Sequence, residues 1–193
     1  GLLMLCKTEH MLEEEAHVLA LANKEGLPAR MLSAEEVQQK MPNAKLDIKG
    51  AAFYECDHHT TPGEFMEELK TLLQAKGVHF VKNEKVIDFD SSSDTLSNVK
   101  TASGKTFVAD EVILATGAWA GELNKKLGLK ILMQAGKGYR INSTTETGIT
   151  LPSILCEAKV AVTPMNGFTR FAGTMEIAGI NHNINKARVE AIA

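Results

Sequence analysis

Cysteine, aromatic rings and clustered positive charge are all scarce in this 193-residue sequence, and each scarcity removes a class of function. The three cysteines, Cys6, Cys56 and Cys156, are odd in number, far apart in sequence and form no CxxC pair. That usage excludes a disulfide scaffold or a zinc knuckle and reads as a reduced, cytoplasmic protein. Aromatic residues make up only 5%, too few for a base-stacking surface. Net charge is −3 and no segment concentrates Lys and Arg, so nucleic acid has little support as a partner and none is expected. No apolar run approaches the roughly 18 residues that a membrane crossing needs. The opening "GLLMLCKTEH" has no basic flank and no small-residue cleavage site, so it is not read as a signal peptide. It also lacks an initiating Met and starts in mid-pattern, which leads us to expect the central piece of a longer protein.

What is present is enough for a core: 44% hydrophobic and 23% charged residues. "LLMLCKT" reads as a buried strand, and residues 9–25 as a helix with Leu12, Ala16, Leu19 and Ala20 on one face. "LSAEEVQQKMP" carries a capping box, with Ser33 at the N-cap and Glu36 three residues on. "GAAFYEC" reads as a strand. "TPGEFMEELKTLLQAKG" is the clearest helix: Thr61 caps it, Pro62 takes the first position, Gly77 ends it, and Phe65, Leu69, Leu72 and Leu73 form its stripe. Strands are expected in "VHFVKNEKVIDFD", "LSNVKTAS" and "KTFVADEVILA", the last two joined by a Ser103-Gly104 turn. "DSSSD" reads as a loop, and a helix is expected over 118–127. Beyond it, "LKILMQAGKGYRIN", "SILCEAKVAVTPMN" and "FTRFAGTMEI" read as an antiparallel meander with turns at Glu157-Ala158 and Asn166-Gly167, followed by the start of a helix.

The ordered set "ADEVILATGAWAGEL", "KGYRI" and "VAVTPMNGFTRFAGTMEIAG" resembles the D-amino acid oxidase superfamily of flavoenzymes over nearly the whole chain. Within it, the likeness runs to the small-subunit type of bacterial D-amino-acid dehydrogenase, with glycine oxidase a nearer cousin than sarcosine oxidase. The resemblance implies an α+β fold, with residues 51–127 as part of an FAD-binding α/β domain. Residues 1–50 and 128–193 would then belong to an antiparallel substrate domain. Two family signatures do not occur in this sequence: the GxGxxG that holds the pyrophosphate, and a late glycine-rich segment carrying a substrate-binding arginine. The implied activity is oxidative deamination of D-amino acids or glycine-like amines to 2-oxo acids by hydride transfer to FAD, which this piece alone is not expected to hold. Hydroxy-acid or glycerol-3-phosphate dehydrogenase relatives, and a binding or assembly module without cofactor, are the alternatives. The implied partner is a small-molecule amine. A quinone or the inner face of a membrane stays open as a further contact, as does the oligomeric state.

The same resemblance implies that the turn of Thr116, Gly117 and Ala118 passes close to FAD, with Trp119 covering apolar surface beside it. Val86 would meet the adenine through its backbone. Read from residue type alone, Trp119 is as readily a core residue at a strand–helix junction, and Val86 a core valine. On the substrate side, alternation places Lys137 and Tyr139 on one face of "GKGYRI". It also separates Arg170, Ala172 and Thr174 from Phe171, Gly173 and Met175 on the last strand. Met175 and His59 match pocket positions of glycine oxidase, whereas Ala161 stands where that enzyme has a tyrosine. Arg170 matches an arginine of the dehydrogenase pattern, and its planar guanidinium suits a carboxylate. A surface arginine and a solvated loop histidine are the plainer readings. No catalytic acid, base or nucleophile is expected, since the cofactor carries the chemistry. "ECDHHTTP" is not read as a metal site, because adjacent strand residues point to opposite faces.

Overall fold

The computed structural model describes residues 1–92 and 95–193, with the side chain of residue 92 also outside the description. The described residues have the expected α+β class, arranged as two compact units: residues 1–67, 138–175 and 183–193 in the first, and 68–137 with 176–182 in the second.

The first unit is built on a seven-stranded sheet. Strand β1 (Leu2–Cys6) lies inside it, third in the order, antiparallel to β3 (Gly50–Tyr54) on one side. Its burial follows from that place: Leu3 and Cys6 are fully buried and Leu5 is 2% exposed. Between them in sequence come α1 (Glu9–Lys24), β2 (Ala29–Ser33) and α2 (Ala34–Lys40). Thr8 caps α1 by accepting from the Met11 N–H, and Gly26 leaves the helix with φ of +82°. The Ser33–Glu36 capping box forms as expected, with bonds of 3.2 and 2.8 Å. It turns α2 so that Val37 and, just beyond the helix, Met41 are fully buried in the main core with Leu3, Leu5 and Leu32. The sequence reading missed β2, whose mixed burial shows no clean period of two.

The meander closes this sheet. After β7 (Lys137–Ser143), strands β8 (Ser153–Leu155), β9 (Val160–Met165) and β10 (Phe168–Glu176) run antiparallel in succession. The strand order is β2-β3-β1-β8-β9-β10-β7, and β8 pairs with β1 in parallel. A parallel partner 150 residues away leaves no local mark in sequence. The short helix α5 (Lys186–Glu190) stands by a second core of Tyr139, Val160, Val162 and Ile192.

The second unit holds an antiparallel sheet of β4 (Val86–Ser92), β5 (Thr95–Thr101) and β6 (Thr106–Val108). The expected turn joins β5 to β6, with Gly104 at φ of +85°. The loop expected at 90–94 corresponds to strand ends through Ser92; its residues 93 and 94 lie outside the described residues. Helix α3 (Pro62–Ala75) has the expected bounds, but none of its residues is buried, and Phe65 and Leu72 are more than half exposed. A single-turn 3-10 helix (Gly117–Trp119) leads into α4 (Ala120–Lys126).

Three expected stretches of strand do not form. Residues 78–85, 109–116 and 129–136 have no regular secondary structure. Strand character needs a ladder partner, and none pairs with these segments among the described residues. Their apolar side chains stand out instead, with Ile113 87% exposed and Leu132 fully exposed. No described helix is long and apolar enough to cross a membrane.

Candidate functional site

In the second unit, the chain leaves the irregular segment 109–116 through a turn made by Thr116 and Gly117. Gly117 has φ of +53°, a left-handed conformation in which a Cβ is strained, and no atom lies within 4 Å of where that Cβ would stand. The Trp119 N–H closes the turn onto the Thr116 carbonyl at 3.1 Å. Trp119 is 58% exposed, so within this chain it is not a core residue. It shares a cleft of about 600 Å3 with Val86, Thr116, Glu122, Leu123 and Ile180. The Thr116 hydroxyl is buried there with no hydrogen-bond partner among the described residues. A buried hydroxyl without a partner is costly, and a ligand atom would relieve it.

A second cleft, of about 240 Å3, lies against the same Trp119 and Ile180 and is lined by Ala118, Gly136, Lys137 and His182. Lys137 is tied down within it: its ammonium meets the Glu176 carboxylate at 2.6 Å and the Asn181 side-chain oxygen at 2.7 Å. Glu84, beside the first cleft, is held down at about pKa 2 by hydrogen bonds from Lys105, Ser103 and Thr101, so it stays an anion. The structure therefore brings Val86, Thr116 and Trp119 to one cleft and Ala118, Trp119 and Lys137 to the other, with Gly117 in the turn between them. Glu84, Glu122 and residues 180–182 were not foreseen; they come from segments distant in sequence and follow no motif.

In the first unit, Arg170 lies on β10 opposite Thr163. It is half-buried, and its guanidinium sits 5.6 Å from the centre of the Phe168 ring, two residues back on the same face. Its Nε is buried with no hydrogen-bond partner among the described residues. The other face of β10 is structural: Phe171 packs against the second core and Thr169 shares a 2.9 Å hydroxyl contact with Thr147. The expected alternation breaks at Thr174, whose φ is +50°. Its hydroxyl donates to the Arg188 carbonyl, and Met175 beyond it is 64% exposed. Tyr139 is 8% exposed in the core, and its hydroxyl accepts the Asn185 N–H at 3.2 Å. His59 is exposed in the loop before α3, while His58 turns a ring nitrogen to the Cys56 carbonyl at 2.8 Å. Among the described residues, no three His, Cys, Asp or Glu side chains gather as a metal site would require.

Against known proteins, the family model for FAD dependent oxidoreductases matches residues 1–193. A D-amino acid dehydrogenase of Helicobacter pylori is 32% identical over 191 residues, which cover 98% of this chain and 45% of that protein. The chain thus spans about half the length of the curated relatives it matches. Among solved structures, a glycine oxidase from Bacillus cereus superposes with a TM-score of 0.82 at 18% identity, covering 100% of this chain and 53% of that one. An L-proline dehydrogenase from P. horikoshii gives 0.82 at 18%, covering 99% and 53%. At those identities, the two structures establish the fold alone.

Proposed function

The chain belongs to the FAD-dependent oxidoreductase family, and from that membership we propose that it forms part of an enzyme oxidising D-amino acids or glycine-like amines to 2-oxo acids. The similarity to a D-amino acid dehydrogenase along 98% of the chain supports this choice of substrate class. In this reading, the second unit, residues 68–137 with 176–182, contributes to the FAD-binding domain in place of the 51–127 read from sequence, and the first unit contributes to the substrate domain. The observation that carries the cofactor assignment is the Thr116 hydroxyl, buried without a partner next to a left-handed Gly117. A cofactor edge would satisfy the hydroxyl, use the open space over the glycine and cover the exposed Trp119 ring. Val86 borders the same cleft and would offer backbone N–H and C=O groups.

When bound, FAD supplies the hydride acceptor for the C–H bond beside the amine nitrogen. The chain's residues would supply binding and orientation. Arg170 offers a planar, permanently charged donor with an unused Nε, suited to the substrate carboxylate. Met175 is exposed enough to take up apolar substrate surface, and His59 stands in a solvated loop open to a rim role. Tyr139 acts one step back, because its hydroxyl already holds Asn185. Lys137 is likewise engaged and would shape the wall beside Trp119. The test is to purify the full-length protein and read its flavin absorbance. Reduction of an artificial electron acceptor is then assayed with D-amino acids, glycine, L-amino acids, 2-hydroxy acids and glycerol 3-phosphate. Activity confined to hydroxy substrates would replace the amine assignment, and a colourless protein would remove the cofactor.

A further inference from the structure

Cys6 ends β1 and Cys156 follows β8, and the parallel register of these strands sets the two residues side by side. The Cys156 N–H donates to the Leu5 carbonyl at 3.1 Å, and the two Sγ atoms lie 3.8 Å apart. Neighbouring strands run about 4.8 Å apart, inside the roughly 4.4–6.8 Å Cα separation that disulfides span. The third cysteine, Cys56, is only half-buried and follows the end of β3.

We propose that Cys6 and Cys156 are a dithiol modification site, closing to an intramolecular disulfide under thiol oxidants of the peroxide or glutathione-disulfide class. With peroxide, the thiolate of one of the pair attacks one oxygen, the O–O bond breaks, and its sulfenic acid and a hydroxide result; the hydroxide takes up the proton that this thiol had released and becomes water. The other sulfur then attacks the sulfenyl sulfur; the S–O bond breaks, the S–S bond forms, and its proton leaves with the hydroxide as a second water. Two thiols and one peroxide give one disulfide and two waters, the two electrons passing to the peroxide.

Burial raises both thiols above their ordinary range. Glu15, with an oxygen 4.0 Å from the Cys156 sulfur, adds to the upward shift at both. Access is gated by Glu157, the residue after Cys156. One of its oxygens accepts from the Lys7 N–H, the Thr8 N–H and the Thr8 hydroxyl, each at 2.9 Å, pinning together the two chain segments that follow the cysteines. Oxidation of the native protein is accordingly slow, and refolding under oxidant bypasses the gate.

The experiment takes the full protein through two treatments. One portion is incubated natively with hydrogen peroxide; another is refolded in a glutathione redox couple. Free thiols are then alkylated, and intact mass and proteolytic peptides are read. The expected result is a linked peptide pair joining Cys6 to Cys156, two hydrogens lighter than the reduced pair and reversed by dithiothreitol, with Cys56 recovered alkylated. Cys56→Ala should leave that product unchanged. Glu157→Gln should speed its formation in the native protein. Recovery of Cys6 and Cys156 alkylated after both treatments, or links that include Cys56 in equal yield, would overturn the proposal.

Discussion

Arg170 and Gly117 are the two residues on which the proposed activity depends most, and each makes a separable prediction. The Arg170 guanidinium is fixed over Phe168 while its buried Nε lacks a partner among the described residues, which is the state expected of a donor reserved for a ligand. Arg170→Lys keeps the charge but loses the planar two-bond fork. A charge-assisted bond is worth about 1.5–3 kcal/mol, so KM for every active amino acid should rise roughly ten- to a hundredfold, while bound flavin stays unchanged. Wild-type kinetics would remove Arg170 from the site. Gly117→Val places a branched side chain at φ of +53° and in the open space beside Thr116. The left-handed backbone alone costs about 1–2 kcal/mol, and the added bulk should displace cofactor. A drop in the ratio of flavin to protein absorbance, with folded protein still recovered, is the expected outcome. A lowered melting temperature at full flavin content would make the turn a folding element only.

At the scale of elements, local signals were readable and non-local ones were not. The α2 capping box could be read because Ser33 and Glu36 are three residues apart and need nothing else. Ser33→Ala should cost about 1 kcal/mol, a lowering of roughly 2–4 °C in melting temperature, measurable by circular dichroism. The β5–β6 turn was equally readable from Ser103-Gly104, but its anchor was not. Glu84, before β4, holds Ser103 and Lys105 at 2.6 Å each. Its carboxyl is depressed to about 2, so the anchor contributes fully above the unfolded value, about 4.3. It is lost as pH falls from there through the folded value. Melting temperature should therefore fall between about pH 4.3 and 2, and Glu84→Gln should flatten that part of the profile. An unchanged profile in the variant would assign the acid sensitivity elsewhere. Segments 109–116 and 129–136 misled for the opposite reason: Val112 to Leu114 and Ile131 to Met133 have strand composition but no paired neighbour among the described residues. The candidate clefts lay between these extremes. Thr116 to Trp119 stood out through a family resemblance, whereas the Lys137–Glu176–Asn181 contacts and the Cys6–Cys156 pair join positions that no spacing rule connects.

For the whole molecule, the decisive facts are length and exposed apolar surface. The chain covers 45% of a dehydrogenase relative, and its sequence contains no GxGxxG to bring pyrophosphate onto a helix N-terminus. The second unit alone leaves Val108 82% exposed, Ile113 87% and Leu132 fully so. Side chains of that size each stabilise by about 1.5–3 kcal/mol when covered, so the 193-residue chain expressed by itself should bind hydrophobic dye and self-associate. Its affinity for FAD should also be poor, since the cations that line the clefts around Trp119, Lys85 and Lys137, already face the carboxylates of Glu122 and Glu176 rather than a place for two phosphates. Fluorescence titration of the isolated chain with FAD checks this directly. The expected curve does not saturate at micromolar cofactor, while the full-length protein purifies yellow. Stoichiometric binding by the isolated chain would mean that the Thr116–Trp119 turn and its two clefts hold the cofactor without a pyrophosphate loop. The site would then be more complete than its sequence suggests.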